Sequence, residues 1–394
     1  MDYQSRYGFK LIEDFPENRL LPDLFMGGGG KRIDSPVQWP AQRDYLLDML
    51  DYFLYGPMPP VPAKVSGELL KTGELYGGAA LEEDLLIDCG EFRFGARVLR
   101  PNKGGKFPVI CAYTMRGFMW QLPAEWETLC QRDYALALID INEIAFDRPE
   151  GGGPVYQAYP DYSGKAIMAW SWGIMRLIDY LERRSYVDTE KFIAAGCSRL
   201  GKQTICAMIH DERIALAGAA GSGCGGFGSF RILGSPRGPE QNSSTVETIG
   251  RMMCNFPHWF SENMLSFSSV QPPYGVKKEY RLPFDMHFAR ALCAPRCVIS
   301  SNALDDVWGN LYGDYGTYLA AQELYQFLGA QDNTAYFYRE GAHGYDKSEW
   351  LAMLDFADLK FRGISRPGLS LLNKGIFDLD KRVYFDWEKP APHV

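Results

Sequence analysis

The chain of 394 residues carries 41 Lys and Arg against 49 Asp and Glu, a formal net charge of -8, and is 46% apolar, 14% aromatic and 23% charged. That apolar fraction supplies a core and excludes a disordered chain. An acidic balance without a Lys/Arg run excludes a nucleic-acid partner, whose binding rests on neutralised phosphates. Nine cysteines, scattered without C-x-x-C pairs, suggest neither a disulfide framework nor a zinc site and fit a reducing compartment. No basic segment followed by an apolar one opens the chain, and no uncharged apolar stretch reaches about 18 residues, which speaks against a membrane partner. The chain reads as cytoplasmic, or as a secreted one from which the signal has been removed.

Residues 1–40 mix Pro, charge and "MGGGGKR" without a period and read as an N-terminal arm. Leu47, Leu50 and Leu54 then recur at helical spacing over 39–55, and "YGPMPPVP" stops that helix. Strand signals follow in "FRFGARVLRP", "FPVICAY" at 107–113 and "YALALIDI" at 134–141; the last two are the short apolar runs of a parallel sheet. Ile167, Trp170, Ile174, Ile178 and Leu181 mark an amphipathic helix over 165–184. Strands are expected at "KFIAAGC", 214–221, 294–301 and 334–340, and helices at 317–328 and 347–361. Strands alternating with helices predict a doubly wound, mostly parallel α/β sheet with helices on both faces, a three-layer sandwich. Residues 222–290 break the rhythm and read as a pocket-forming insertion within a catalytic domain of 41–365, followed by a tail of 366–394.

The strand "KFIAAGC" ends in Gly196, Cys197, Ser198 and Arg199 and runs into a helix, the arrangement of a nucleophile elbow. Gly196 stands two before the serine, but Leu200 occupies the second small position and Gly201 comes one residue late. A serine opening a helix is also a common N-cap, so the partners decide the reading. Of the five histidines, His210 lies in the helix after the elbow, about 18 Å from Ser198, and is too far to serve. His343, in "REGAHG" after the last strand, holds the position of a general base in this fold class, and Asp305 or Asp306, after the preceding strand, that of the acid which orients it. Successive side chains diverge at a tight turn, so Cys197 points inward and Ser198 is the nucleophile.

These residues resemble the glucuronoyl esterases, carbohydrate esterase family fifteen in the α/β-hydrolase superfamily, whose elbow reads G-C-S-R-x-G-K. The likeness runs over roughly 40–362, through "RDYALALIDINEIAFDRP", "AWSWGIMRLIDYLE", "GSGCGG", "ETIGRM", "PHWFSEN", "LPFDMH" and "REGAHG". The resemblance implies a hydrolase of (4-O-methyl)glucuronate esters, on xylan or on small uronates. It implies Ser198 as nucleophile, His343 as base, Arg199 as oxyanion partner, and Lys202, Glu247, Trp308 and Trp259 at the sugar. Many members carry the acid as Glu in a Q-E-S-G-S-G block, where this chain has Ala219, Ala220 and Gly221; the acid then falls to Asp305 or Asp306. Acyl transfer through serine calls for no cofactor. Two alternatives stand beside this reading: a carbohydrate acetyl esterase such as an acetyl xylan esterase, and a carbohydrate-binding pseudoenzyme, favoured if neither aspartate reaches His343. Oligomeric state has no signature in the sequence.

Overall fold

The computed structural model describes residues 8–9, 12–115, 123–235, 238–239, 246–270, 277–375, 377 and 380–391. Parts of the arm, the insertion and the tail, and His393, lie outside them. The described residues form eleven strands: β1 (Ser66–Leu75), β2 (Ala80–Asp88), β3 (Arg93–Pro101), β4 (Phe107–Thr114), β5 (Ala135–Asp140), β6 (Val187–Cys197), β7 (Ile214–Ala220), the two-residue β8 (Gly234–Ser235) and β9 (Gly238–Pro239), β10 (Cys297–Ala303) and β11 (Thr334–Arg339). Nine of them make one sheet in the order β1-β2-β3-β5-β4-β6-β7-β10-β11. The six from β5 to β11 run parallel, while β1, β2 and β3 pair antiparallel on one side.

Alternation along the parallel strands builds a core on each face. Val109, Cys111, Ala135, Ala137, Phe192 and Ala194 enter the larger cluster, with the helices Trp39–Leu50, Ala166–Leu181 and Arg199–His210. Ile110, Ala112, Leu136, Leu138, Ile193 and Ala195 face the other way, against the helices Pro123–Gln131 and Lys347–Arg362. Three layers result, as the alternating elements predict.

Local departures have local causes. The helix Ala166–Leu181 buries every residue except Asp179; it lies between the sheet and the segments folded over it, so its polar face narrows to Arg176 and Asp179, paired at 2.7 Å. The next-to-last long helix begins at Leu311, six residues before 317, because Asn310 caps it by accepting from Gly313 N at 3.2 Å. Gly313 and Gly316 weaken the helical signal of this first turn, yet both are needed: a Cβ on Gly316 would run into Tyr384. Residues 12–38 and 380–391 pack together on this flank, where Leu21 N donates to Tyr384 O at 2.8 Å and Trp387 Nε1 to Leu21 O at 2.8 Å.

The insertion is tied down by a fully buried ion pair, Arg231 to Asp285 at 3.0 Å, both side chains at 0% exposure. Arg231 also donates to the carbonyls of Asn18, Leu20, Leu282 and Phe284, and Asp285 accepts from Ser229, Phe230 and Met286. A buried pair costs desolvation unless its remaining groups are satisfied, and here they are. The arm is thereby locked to the insertion.

Candidate active site

Parallel strands aim their carboxyl ends at one edge of the sheet, and four neighbours, β6, β7, β10 and β11, deliver the site there. At the end of β6, Ser198 has φ 59° and ψ -126°, a conformation that costs a non-glycine residue about 1–3 kcal/mol and persists only where the surroundings impose it. They do: Ser198 N donates to Ala220 O at 2.9 Å, and the helix Arg199–His210 starts directly behind. A Cβ on Gly196 would run into the Leu200 carbonyl, and one on Gly201 would meet Ala220 O at 3.0 Å. Both glycines are therefore required, and the late position of the second reflects the approach of this helix to the end of β7.

Cys197 is buried, its Sγ donates to Gly344 O at 3.3 Å, and burial pushes its thiol far above the usual range. It points away from the site, as expected, and is held as a neutral thiol, which is a poor nucleophile.

His343 and Asp306 meet: Nδ1 lies 2.6 Å from Asp306 Oδ2, with the histidine side chain 37% exposed and the aspartate 2%. Asp306 caps the short turn Val307–Gly309 by accepting from Gly309 N at 3.1 Å through Oδ1, which leaves Oδ2 for the imidazole. Asp305 is exposed and its N–H donates to Gly341 O at 3.0 Å. Of the two candidates, Asp306 is the one the structure brings to His343, and the ground for a binding-only reading is removed. Arg339 stiffens the loop that carries His343, donating to Glu340 O, Ala342 O and Glu349 Oε2. Gly221, at φ 47°, passes so close that a Cβ there would lie 3.2 Å from His343 Cε1 and 3.6 Å from Asp306 Oδ2. The end of β7, where the family's alternative acid would stand, thus leaves its space to the imidazole.

Lys202, one helical turn beyond Ser198, donates to Glu247 Oε2 at 2.7 Å and to Ser222 O at 2.6 Å. The pair is almost wholly buried, with side chains 3% and 1% exposed. Burial pushes the Glu247 carboxyl above its ordinary range, against the opposing charge and hydrogen bond of Lys202. Trp308 is half-buried, its carbonyl accepts from Glu247 N at 3.3 Å, and the Arg251 guanidinium stands 5.7 Å from its ring. Trp259 is 2% exposed and stacks on Phe256 at 3.9 Å between ring centroids, while Arg199 stands 4.8 Å and Lys202 Nζ 5.6 Å from its own. It forms the floor on which the two cations rest.

Arg199 has a partner that sequence reasoning missed. Its Nη1 lies 2.5 Å from Oδ2 of Asp147, in the loop after β5, and Oδ1 of Asp147 meets His258 Nε2 and Trp259 Nε1 at 2.9 Å each. Burial works to raise the Asp147 carboxyl, but the His258 hydrogen bond, the Arg199 charge and the Trp259 hydrogen bond together bring it down to about 2.

A strained serine at a strand-to-helix turn and a carboxylate-backed imidazole after the last strand, on this sheet, define the α/β-hydrolase class. The chain matches the model of the family described as glucuronyl esterase, fungi, over residues 89–329. A 4-O-methyl-glucuronoyl methylesterase of Podospora anserina is 28% identical over 82% of this chain, which spans 63% of that relative's length. A carbohydrate esterase from an unknown prokaryotic organism is 25% identical over 92% of this chain and 94% of its own. The solved family 15 glucuronoyl esterase of Caldicellulosiruptor kristjansonii superposes with a TM-score of 0.77 at 26% identity, covering 96% of this chain and 99% of that one. The chain belongs to the glucuronoyl esterase family.

Proposed function

We propose that the protein is a serine esterase that hydrolyses esters of (4-O-methyl)glucuronate. The observation that carries this reading is the Asp306–His343 pair at 2.6 Å, at the same sheet edge as the elbow of Ser198 and Arg199. Ser198 Oγ attacks the ester carbonyl carbon as His343 takes its proton, and Asp306 holds the imidazole in the tautomer that can accept it. Negative charge then gathers on the former carbonyl oxygen, where the Arg199 guanidinium and the free N–H groups of the first helical turn stabilise it. Collapse expels the alcohol, protonated by His343, and water repeats the sequence on the acyl-enzyme.

The uronate preference rests on Lys202, Glu247 and Trp308 beside this centre: a cation and a carboxylate for sugar hydroxyls and an aromatic face for the ring. The names of the relatives support it. The nine free cysteines, eight of them buried, support a reducing, cytoplasmic setting and therefore small uronate esters as substrates. Among the described residues no helix is long and apolar enough to cross a membrane. Ser198→Ala is expected to abolish turnover of benzyl glucuronate with the thermal unfolding midpoint retained, and to leave no preference over acetyl xylan to measure; persisting turnover defeats the proposal.

A further inference from the structure

We infer that Asp147 is a positioning residue for the reaction: it clamps the Arg199 guanidinium at the oxyanion and, through His258 and Trp259, fixes that clamp to the insertion. This rests on the reading of Arg199 as the charged group that stabilises the tetrahedral intermediate.

Three distant segments converge on one carboxylate. Asp147 comes from the loop after β5, Arg199 from the elbow and His258 with Trp259 from the insertion, and the contacts are 2.5, 2.9 and 2.9 Å. The Asp147 side chain is 8% exposed, while that of Arg199, the residue after Ser198, is 27% exposed. A guanidinium has five N–H donors, so one held by Asp147 leaves others for a developing oxyanion. Its flat face is seated as well, 5.2 Å from the Phe256 ring centroid and 4.8 Å from that of Trp259.

Without Asp147 the long Arg199 side chain keeps only its seat against the Phe256 and Trp259 rings and loses the carboxylate that fixes its Nη1. An oxyanion donor works only if it is in place before the charge develops, because reorientation during the reaction consumes the gain.

The experiment compares Asp147→Ala and Asp147→Asn in two backgrounds, native and Arg199→Ala, on benzyl glucuronate. Displacing a catalytic group by about 1 Å costs on the order of 10²-fold, so Asp147→Ala is expected to lower kcat by about that factor with KM within about twofold. Asp147→Asn, which keeps an acceptor oxygen and drops the charge, falls between. In the Arg199→Ala background the same substitutions change kcat by less than about threefold, since the group they position is gone. Should Asp147→Ala fail to fold, as read by its thermal unfolding, the Asn variant carries the same comparison. Native kcat in the Asp147 variants, or losses that multiply in full with that of Arg199→Ala, overturns the inference. Activity surviving in Ser198→Ala brings down the underlying reading instead, and the two failures are told apart.

Discussion

Asp306→Asn isolates the step on which the proposed chemistry depends, because it removes charge and hardly changes shape. The carboxylate does two things for His343 through the contact at 2.6 Å: it accepts from Nδ1, which leaves Nε2 free for the serine proton, and it stabilises the imidazolium formed during attack. Two unit charges about 4 Å apart at an effective dielectric constant of about 20 attract by about 4 kcal/mol, close to a thousandfold in rate. Because the His343 side chain is 37% exposed, water screens part of that term. Against this, an asparagine NH2 turned to Nδ1 favours the wrong tautomer, and the same exchange in serine proteases costs about 10⁴. The expected loss in kcat/KM for benzyl glucuronate is therefore roughly 10³-fold, with the fold intact because Asn still caps Gly309.

Asp305→Asn is the internal control. That side chain is exposed and its backbone, not its carboxylate, meets Gly341, so activity within about twofold of native is expected. Initial rates of both variants, with circular dichroism to verify folding, check the assignment. If Asp306→Asn keeps kcat/KM within about fivefold of native, or if Asp305→Asn is the damaging change, the reasoning from geometry to charge stabilisation is refuted.

Other expectations follow from the packing. Gly196→Ala forces a methyl into the Leu200 carbonyl and should lower stability by about 1–3 kcal/mol, seen as a reduced melting temperature together with lost esterase activity. Cys197→Ala removes a buried neutral thiol that faces Gly344, so activity stays within a few fold of native, and the unfolded chain alone reacts with iodoacetamide at this position. Lys202→Met leaves Glu247 buried without its cation and should cost about 3–5 kcal/mol, most of it recovered when Glu247→Leu is added, as chemical denaturation would show. His287 is buried with Nε2 at 2.7 Å from Pro22 O, and burial lowers its pKa to about 3. The unfolded chain takes up a proton near about 6.5 that the folded chain refuses down to about 3. The His287 contribution is therefore fully present above the upper value and declines by about 1.4 kcal/mol per pH unit between the two. His287→Gln should flatten the slope of unfolding free energy against pH by one proton; an unchanged slope contradicts the assignment.

What the sequence reveals of the fold is what carries a short-range pattern. β4, β5, β6, β7 and β10 are apolar runs closed by turn residues, and burial on both faces of a parallel sheet makes them so. The order Ser198, Asp306, His343 is legible because each follows a strand that can be read. β1 is not legible: Ser66–Leu75 is exposed along nearly its whole length and carries no alternation. β2 places the charged Glu83 inward, where it is 5% exposed and meets Arg100 Nη2 at 2.8 Å, so its buried face does not look apolar.

The choice between Asp305 and Asp306 was within reach. An aspartate three residues before a glycine that closes a turn is a capping arrangement, and Asp306 stands so before Gly309. A cap fixes one carboxylate oxygen and thereby aims the other. Asp147 stands inside the block "RDYALALIDINEIAFDRP" and His258 with Trp259 inside "PHWFSEN", but neither block shows what they touch: Asp147 joins Arg199 from 52 residues away and His258 from 111, and no local period records a contact between a loop, an elbow and an insertion. Such contacts depend on three segments sharing one point in the folded state. They are the part of a site that a motif cannot carry, because a motif is local and the carboxylate that holds the oxyanion arginine is not.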